Sequence, residues 1–435
     1  MGGSRHERSS ARERILVMAH AHPDFSLGGG ELAAYNLFRA YREMPQVEDA
    51  WFLGRFGRGD GQPSGAIGLR RDNEYLWDQG ISDWHLMKAG HRQSVVDGFA
   101  DLVRALRPTV VHAHHYMHLG LEFLRVIRSV DPSIRIWMTL HEYMAICRNN
   151  GQMIKTDGRR LCSRATPDEC RLCFPQHSAE DFWLRRHYFM RHFDLVDRFI
   201  SPSHFLRQRY VEWGIDPERI EVIENGQSEE GVLEPRRLEE GEGHNRFGFF
   251  GQITPYKGLD VLLEALGQLR RKQRRNIVLE VHGANLDKQT DGYRKRIEGL
   301  RDRLVGEGVV QWAGSYQPHE LRSRMAGVDW VVVPSIWWEN SPMVIQEAFV
   351  FGRPLLVSDI GGMAEKVRDG IDGLHVSTGN RVAWGAAMLR AATEGGLWER
   401  LRDGLPRPAG YGQIALAHLQ DEVVGRVRSL GVAGG

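Results

Sequence analysis

The stretch DWVVVPSIWWENSPMVIQEAFVFGRPLLVSD, residues 329–359, decides the architecture. It opens on an apolar, β-branched run (329–335) and closes on another (353–359), with helically spaced residues between. Both runs are apolar throughout rather than alternating, as in strands of a parallel sheet covered on both faces. Parallel neighbours need a crossover, and the segment MVIQEAFVFG supplies a helix. Asn340 or Ser341 is placed to cap it, and Pro342 suits its first turn, where an amide hydrogen is not needed. Glu339 then falls in the loop before the helix, and Glu347 inside it. Between them lie Ser341, Pro342, Met343 and Val344, and the free amides of the helix start, Pro342 excepted, carry about half a positive charge from the helix dipole. Glu347 sits among Val344, Ile345, Ala348 and Phe349, a poor setting for a solvated acid. The two carboxylates therefore read as parts of one binding site.

The same alternation runs through most of the chain. Strand-like runs occur at 14–22, 109–115, 134–143, 198–203 and 220–226, and again at 246–253, 277–283, 309–314, 329–335, 353–359 and 373–376. Amphipathic patterns such as GELAAYNLFRAYRE separate them. Between the two series, QSEEGVLEPRRLEEGEGHN is acidic and poor in aromatics, the composition of a linker. The expected class is α/β, with two Rossmann-like, doubly wound domains facing across a cleft. The expected units are a disordered leader (1–13), an N-terminal domain (14–228), a linker (229–245), a C-terminal domain (246–411) and a terminal helix from 412 to 435.

With 435 residues, 42% hydrophobic and 26% charged, the chain has enough apolar material for two cores. A formal net charge of +1 gives no global reason to expect a nucleic-acid partner. The polar start lacks a signal-peptide core, and no apolar run is long enough for a membrane span, so a cytoplasmic protein is expected. Peripheral membrane contact stays open.

Three further loops follow strand ends. Gly28, Gly29 and Gly30 precede Glu31 and a helix, allowing close backbone approach by an anion, although the dinucleotide spacing G-x-G-x-x-G is absent. A flexible loop without a ligand has the same composition. His141 and Glu142 end the strand IRIWMTLHEY, where a histidine can donate a hydrogen bond to a ligand or sit satisfied in the core. FFGQITPYKGLDVLLEAL places Gln252 and Lys257 between a strand and a helix start, where Lys257 is either a diphosphate partner or an ordinary surface lysine.

Taken in order, GGGE, TLHEY, SPSHFLRQRY, IENG, FFGQITPYKGLDVLLEAL and Glu339-x7-Glu347 resemble the signature of glycosyltransferase family 4, over about residues 14–430. The resemblance implies a GT-B fold and a retaining, metal-independent enzyme that takes a sugar from a nucleoside-diphosphate-sugar donor to an unidentified acceptor. It implies that Glu347 holds the ribose and Glu339 the donor sugar, while His141 bonds the transferred sugar. By the same resemblance Lys257 and the segment of Asn340, Ser341, Pro342, Met343 and Val344, through its non-proline amides, bracket the diphosphate, with Gly29 and Gly30 closing from the opposite domain and the terminal helix crossing back. Members usually carry Arg where this chain has Gln252, which offers neutral donors in place of a charged fork. A nucleotide-sugar 2-epimerase of the same fold, or a non-catalytic nucleotide-sugar-binding protein, is the alternative.

All four cysteines, Cys147, Cys162, Cys170 and Cys173, fall in one polar insertion (147–173). The final C-x2-C has metal-knuckle spacing, which makes a structural zinc the expectation, with free thiols, disulfides or an iron–sulfur cluster as alternatives. The segment 181–199 that follows is aromatic and basic, suited to lipid contact or to ordinary core packing.

Overall fold

The computed structural model describes residues 12–26, 28–56, 65–158 and 160–420. The expected leader lies outside them except for its last two positions, and so does the tail beyond 420. The N-terminal sheet is built from β1 (Glu13–Ala19), β2 (Val47–Phe56), β3 (Ile67–Arg71) and β4 (Glu74–Asp78), then β7 (Val110–Ala113), β8 (Arg135–Thr139), β9 (Arg198–Ser201) and β10 (Ile220–Val222). Two short strands, β5 (Ile81–Asp83) and β6 (Lys88–Ala89), form a separate hairpin. The order is β10-β9-β8-β7-β1-β2-β4-β3, parallel except for the β3–β4 edge pair. The C-terminal sheet contains β11 (Arg246–Gln252), β12 (Val278–Ala284), β13 (Val310–Trp312), β14 (Trp330–Val333), β15 (Leu355–Ser358) and β16 (Gly373–Val376). Its order is β13-β12-β11-β14-β15-β16, and every pair is parallel.

Each sheet has a core on both faces, which explains the continuously apolar strands. Chain direction across the sheet reverses between β1 and β7 in the first domain and between β11 and β14 in the second. Crevices open at such switch points, beyond the carboxyl ends of the strands. The loops that follow β1, β11 and β14 carry the glycine run, Lys257 and Glu339 respectively, so topology delivers the motifs to the cleft.

Two features depart from the sequence reading. The strand β2, the edge pair and the small hairpin were not expected. The linker is also no free tether from Leu233 onward. There Leu233 packs on the C-terminal core, Arg353 Nη2 donates to the Glu234 carbonyl at 2.9 Å, and Arg236 pairs with buried Asp329 at 3.1 Å.

Residues 411–420 are helical and lie on the N-terminal sheet. Ile414, Ala415 and Leu419 join the core formed by Ile15, Val17 and Phe52. His418 Nδ1 meets Tyr41 Oη at 2.8 Å, and Arg198 Nη1 donates to the His418 carbonyl at 2.8 Å. The chain thus crosses between domains twice, and the two crossings touch: Gln227 and Gly410 form a parallel bridge, with the Gln227 amide donating to the Ala409 carbonyl at 2.9 Å.

Candidate functional site

The helix Gly29–Glu43 begins within the glycine run, with Gly28 as its extended N-cap. Glu31 in its first turn meets His20 Nε2 at 3.3 Å and accepts from Ser26 Oγ at 2.7 Å. Burial opposes the charge on Glu31, but these partners outweigh it and hold its carboxyl at about 2. A Cβ on Gly29 would stand 3.2 Å from Met343 Cγ, and one on Gly30 would stand 3.6 Å from His141 Cγ. The glycine run therefore lies between Met343 and His141.

Across the cleft, the helix Met343–Val350 takes Pro342 as its N-cap, not Ser341 or Asn340. The two polar residues reach outward instead. Asn340 Nδ2 donates to the His141 carbonyl at 3.0 Å, and its Oδ1 accepts from Ser203 Oγ at 2.9 Å. Ser341 Oγ donates to Glu224 Oε1 at 2.6 Å. Tertiary partners across the domain boundary thus outcompete the local cap.

Glu339 is buried, and its Oε1 accepts from Lys257 Nζ at 2.6 Å, Ser335 Oγ at 2.7 Å and Trp337 Nε1 at 2.8 Å. Two glycines make the loop positions attainable. Gly258, the left-handed N-cap of the helix Leu259–Gln268, has φ 72°, and a Cβ there would stand 2.0 Å from the Pro334 carbonyl oxygen. At Gly362 a Cβ would stand 1.6 Å from the Asn340 carbonyl oxygen, while its amide donates to the Glu339 carbonyl at 2.7 Å.

Glu347 makes no side-chain hydrogen bond or ion pair among the described residues, and burial raises its carboxyl to about 7. It acts electrostatically on Tyr316 and Tyr411, the second of which sits at the interdomain crossing. Gln252, the last residue of β11, is exposed. Near it, where β11, β12 and β13 end, a cavity of about 450 Å3 is lined by Ile253, Gly283, Asn285, Asp287, Arg294 and Trp312, among others.

His141 Nε2 stands 3.0 Å from His114 Nδ1. Burial, then the neighbouring His115 and His20, presses His141 down to about 3, so it is a neutral imidazole at neutral pH. His112 is structural, bonded to Thr139 Oγ1 at 2.7 Å and near Tyr41 Oη at 3.2 Å. His114 touches the site directly, as its sequence neighbours gave no reason to expect.

The sequence reading also missed Glu224, Ser203 and Lys366. Lys366 ion-pairs with Glu224 and donates to the Pro202 carbonyl at 2.7 Å. Glu365 accepts from the amides of His204 and Phe205 at the start of the helix His204–Trp213. Trp338 completes the contact, donating to the Cys162 carbonyl at 3.3 Å and packing on Phe205 at 5.1 Å.

The four cysteines are free thiols, and among the described residues no group of three or more His, Cys, Asp or Glu side chains is arranged to hold a metal ion. Burial favours the neutral thiol, raising Cys147 to about 11 and Cys170 to about 12. The four thiols act on one another electrostatically, but the expected four-cysteine zinc centre is not shown among the described residues.

These features define a two-domain GT-B glycosyltransferase. Residues 233–404 match the family model described as Glycosyl transferases group 1, and residues 82–228 match the one described as Glycosyltransferase Family 4. The chain belongs to glycosyltransferase family 4. A D-inositol 3-phosphate glycosyltransferase of Corynebacterium aurimucosum is 24% identical over 72% of this chain and 67% of its own length. A lipopolysaccharide 1,2-N-acetylglucosaminetransferase of Salmonella typhimurium is 30% identical over 41% of this chain; the match spans only 49% of that relative's length. Among solved structures, Anabaena HepE in complex with UDP and glucose shares the fold with a TM-score of 0.62 at 17% identity, covering 95% of this chain and 100% of that one. The sucrose-phosphate synthase of Thermosynechococcus elongatus shares it with a TM-score of 0.64 at 16% identity, over 97% of this chain and 100% of its own.

Proposed function

We propose that this protein moves a sugar from a nucleoside-diphosphate-sugar donor to an acceptor held against the N-terminal sheet, with retention and without a catalytic metal. The observation that carries the reading is the unpartnered Glu347 inside the helix Met343–Val350, with the Lys257–Glu339 pair in the loops before the helix. Ionised, Glu347 accepts both ribose hydroxyls. Lys257 and the free amides at the helix start meet the diphosphate, whose charge grows as the glycosidic bond breaks and the bonding electrons leave with the phosphate. Gly29 and Gly30 leave room for that group beside Met343, and neutral His141 donates to the sugar. The cavity beyond β12 takes the nucleobase. HepE is described with UDP and with UDP-glucose, so UDP-sugars are the first donors to test. The free thiols suit a reducing cytoplasm. Among the described residues no helix is long and apolar enough to cross a membrane. We assign peripheral membrane contact to the exposed Leu172, Trp183 and Leu184, a surface to be tested by cosedimentation with anionic vesicles.

The test is a thermal-shift panel of UDP-, GDP-, ADP- and dTDP-sugars, followed by turnover of whichever donor stabilises the protein. Nucleoside diphosphate should form faster with acceptor present, and the product should keep the donor's anomeric configuration. Isomerised donor without diphosphate release would replace this reading with an epimerase, and tight binding without turnover would replace it with a sensor.

A further inference from the structure

The carboxyl ends of β1, β2, β7 and β8 line one edge of the N-terminal sheet and set His20, Arg55, residues 114–118 and His141 side by side. Most charge on this edge is compensated locally. His20 pairs with Glu31, and His115 Nε2 pairs with Glu142 Oε1 at 3.3 Å while its Nδ1 accepts from the Tyr116 and Met117 amides. The rings of His20 and His115 lie 4.6 Å apart, so the two pairs are adjacent.

Arg55 is the exception. It is the penultimate residue of β2, half-buried, and its Nε donates to the Gln79 carbonyl at 2.9 Å. That bond fixes the plane of the guanidinium but brings no negative charge. Among the described residues its two terminal nitrogens have no hydrogen-bond partner and no carboxylate in ion-pair reach. Asp78 on the neighbouring β4 acts on it only at a distance.

On the same edge, in the loop after β7, His118 is held at φ 63° in a turn that the Leu119 and Gly120 amides close on the Tyr116 carbonyl. A left-handed histidine is a strained residue, and such strain gathers at ligand sites. Its ring packs on Trp84 at 5.6 Å and makes no hydrogen bond among the described residues. After burial, the Arg55 charge is the strongest influence lowering its pKa to about 4. Arg55 and His118 thus lie on the same sheet edge, after β2 and β7, each with donor-bearing nitrogens that no acceptor among the described residues meets, and a half-buried guanidinium without a counterion is unfavourable.

We propose that Arg55 and His118 form an anion subsite for the acceptor, so that the sugar is received by a molecule carrying a phosphate or carboxylate beside its reacting hydroxyl. The two Arg55 terminal nitrogens present the fork that grips an oxyanion, and the His118 ring adds a third donor. The anion sits at the β2 end of the edge and the hydroxyl at the His141 end, next to the glycine run. This rests on the transferase reading above for the hydroxyl's partner, but the anion subsite is testable without turnover.

Donor-saturated protein is titrated with glycerol 3-phosphate, glucuronate, phosphatidic acid in detergent micelles, and uncharged glycerol. At least one anionic probe should bind, at least 10-fold tighter than glycerol, and Arg55→Gln should weaken it at least 10-fold with donor affinity unchanged. Arg55→Lys should recover part of the loss, and His118→Asn should weaken the same probe. Binding confined to micellar phosphatidic acid would identify a lipid phosphate, whereas binding of glycerol 3-phosphate or glucuronate would identify a soluble phosphate or carboxylate. Equal binding of charged and uncharged probes, no binding of any anion, or no change in Arg55→Gln at intact melting temperature would overturn the subsite. Failure of turnover with Arg55-dependent anion binding intact would count against the transferase reading alone.

Discussion

Lys257 Nζ donates to Glu339 Oε1 at 2.6 Å, joining the loop after β11 to the loop after β14. The pair stands at the switch point of the C-terminal sheet, and Ser335 and Trp337 converge on the same carboxylate oxygen. Because three donors share that oxygen, Lys257 can turn toward a phosphate without leaving Glu339 unsatisfied. Lys257→Ala should therefore preserve the fold while lowering kcat about 100- to 1,000-fold, the scale for removing one donor at a developing charge. Single-turnover kinetics checks this, and a loss under 3-fold would remove Lys257 from the chemistry.

As the proposed ribose partner, Glu347 should give donor binding a pH signature. Burial raises its carboxyl to about 7, so it gains acceptor capacity as pH rises through 7, while a sugar diphosphate keeps its charge across that range. Donor affinity should climb from pH 6 to pH 8 and flatten in Glu347→Gln, which should bind about 10- to 100-fold more weakly at pH 8, the equivalent of one or two lost hydrogen bonds to a charged group. The sign for stability is the reverse. The folded form holds the proton more tightly than the unfolded chain, so this residue's contribution is present below pH 4.5 and is lost as pH rises through 7.

Two glycines should respond to alanine in opposite ways. At Gly30 the new methyl meets only ordinary contacts with His141, and helix propensity favours it by about 0.5–1 kcal/mol. It nevertheless fills space assigned to the diphosphate, so Gly30→Ala should keep or raise the Tm and lose donor binding. Gly362→Ala places a carbon 1.6 Å from the Asn340 oxygen and should displace the loop, lowering stability by roughly 1–3 kcal/mol. Paired melting and donor titrations separate the two effects.

The buried histidines predict acid sensitivity. Burial is the main cause holding His141 and His418 near 3 and His112 and His114 well below the ordinary imidazole value. The unfolded chain binds these protons first, so stability is full above pH 6.5 and falls as pH drops toward 3. At pH 5 His141 and His418 each cost about 2 kcal/mol. Chemical denaturation from pH 8 to pH 5 should show the slope, and His418→Phe should reduce it.

The thiols give a second, alkaline test. With Cys147 near 11 and Cys170 near 12, little thiolate exists at pH 8 in the folded protein. Alkylation there should be at least 10-fold slower at these two positions than in the denatured chain. Stability should fall above pH 9, where the unfolded thiols ionise first.

Much of this site was legible because topology and periodicity agree. Apolar runs ending in Gly251, Ser335 or His141 are strands whose loops must face the cleft, so the motif residues could be placed without knowing their contacts. What could not be read depended on partners distant in sequence. The run Val47–Phe56 carries charges at Glu48, Asp49 and Arg55 that hid its strand character until β1 and β4 flanked it. The helix cap moved from Ser341 to Pro342 because Glu224 and Ser203 compete for the polar side chains. The C-x2-C spacing suggested zinc, yet spacing alone says nothing of whether thiol vectors converge. His114 reads as one more core histidine until His141 is seen against it.

The paired crossings at Gln227 and Gly410 have a mechanical consequence. A single tether would let one domain swivel freely about the other, whereas two backbones clamped side by side resist twisting. The permitted motion is a fold of the cleft about a line through this seam, like a book opening on its spine.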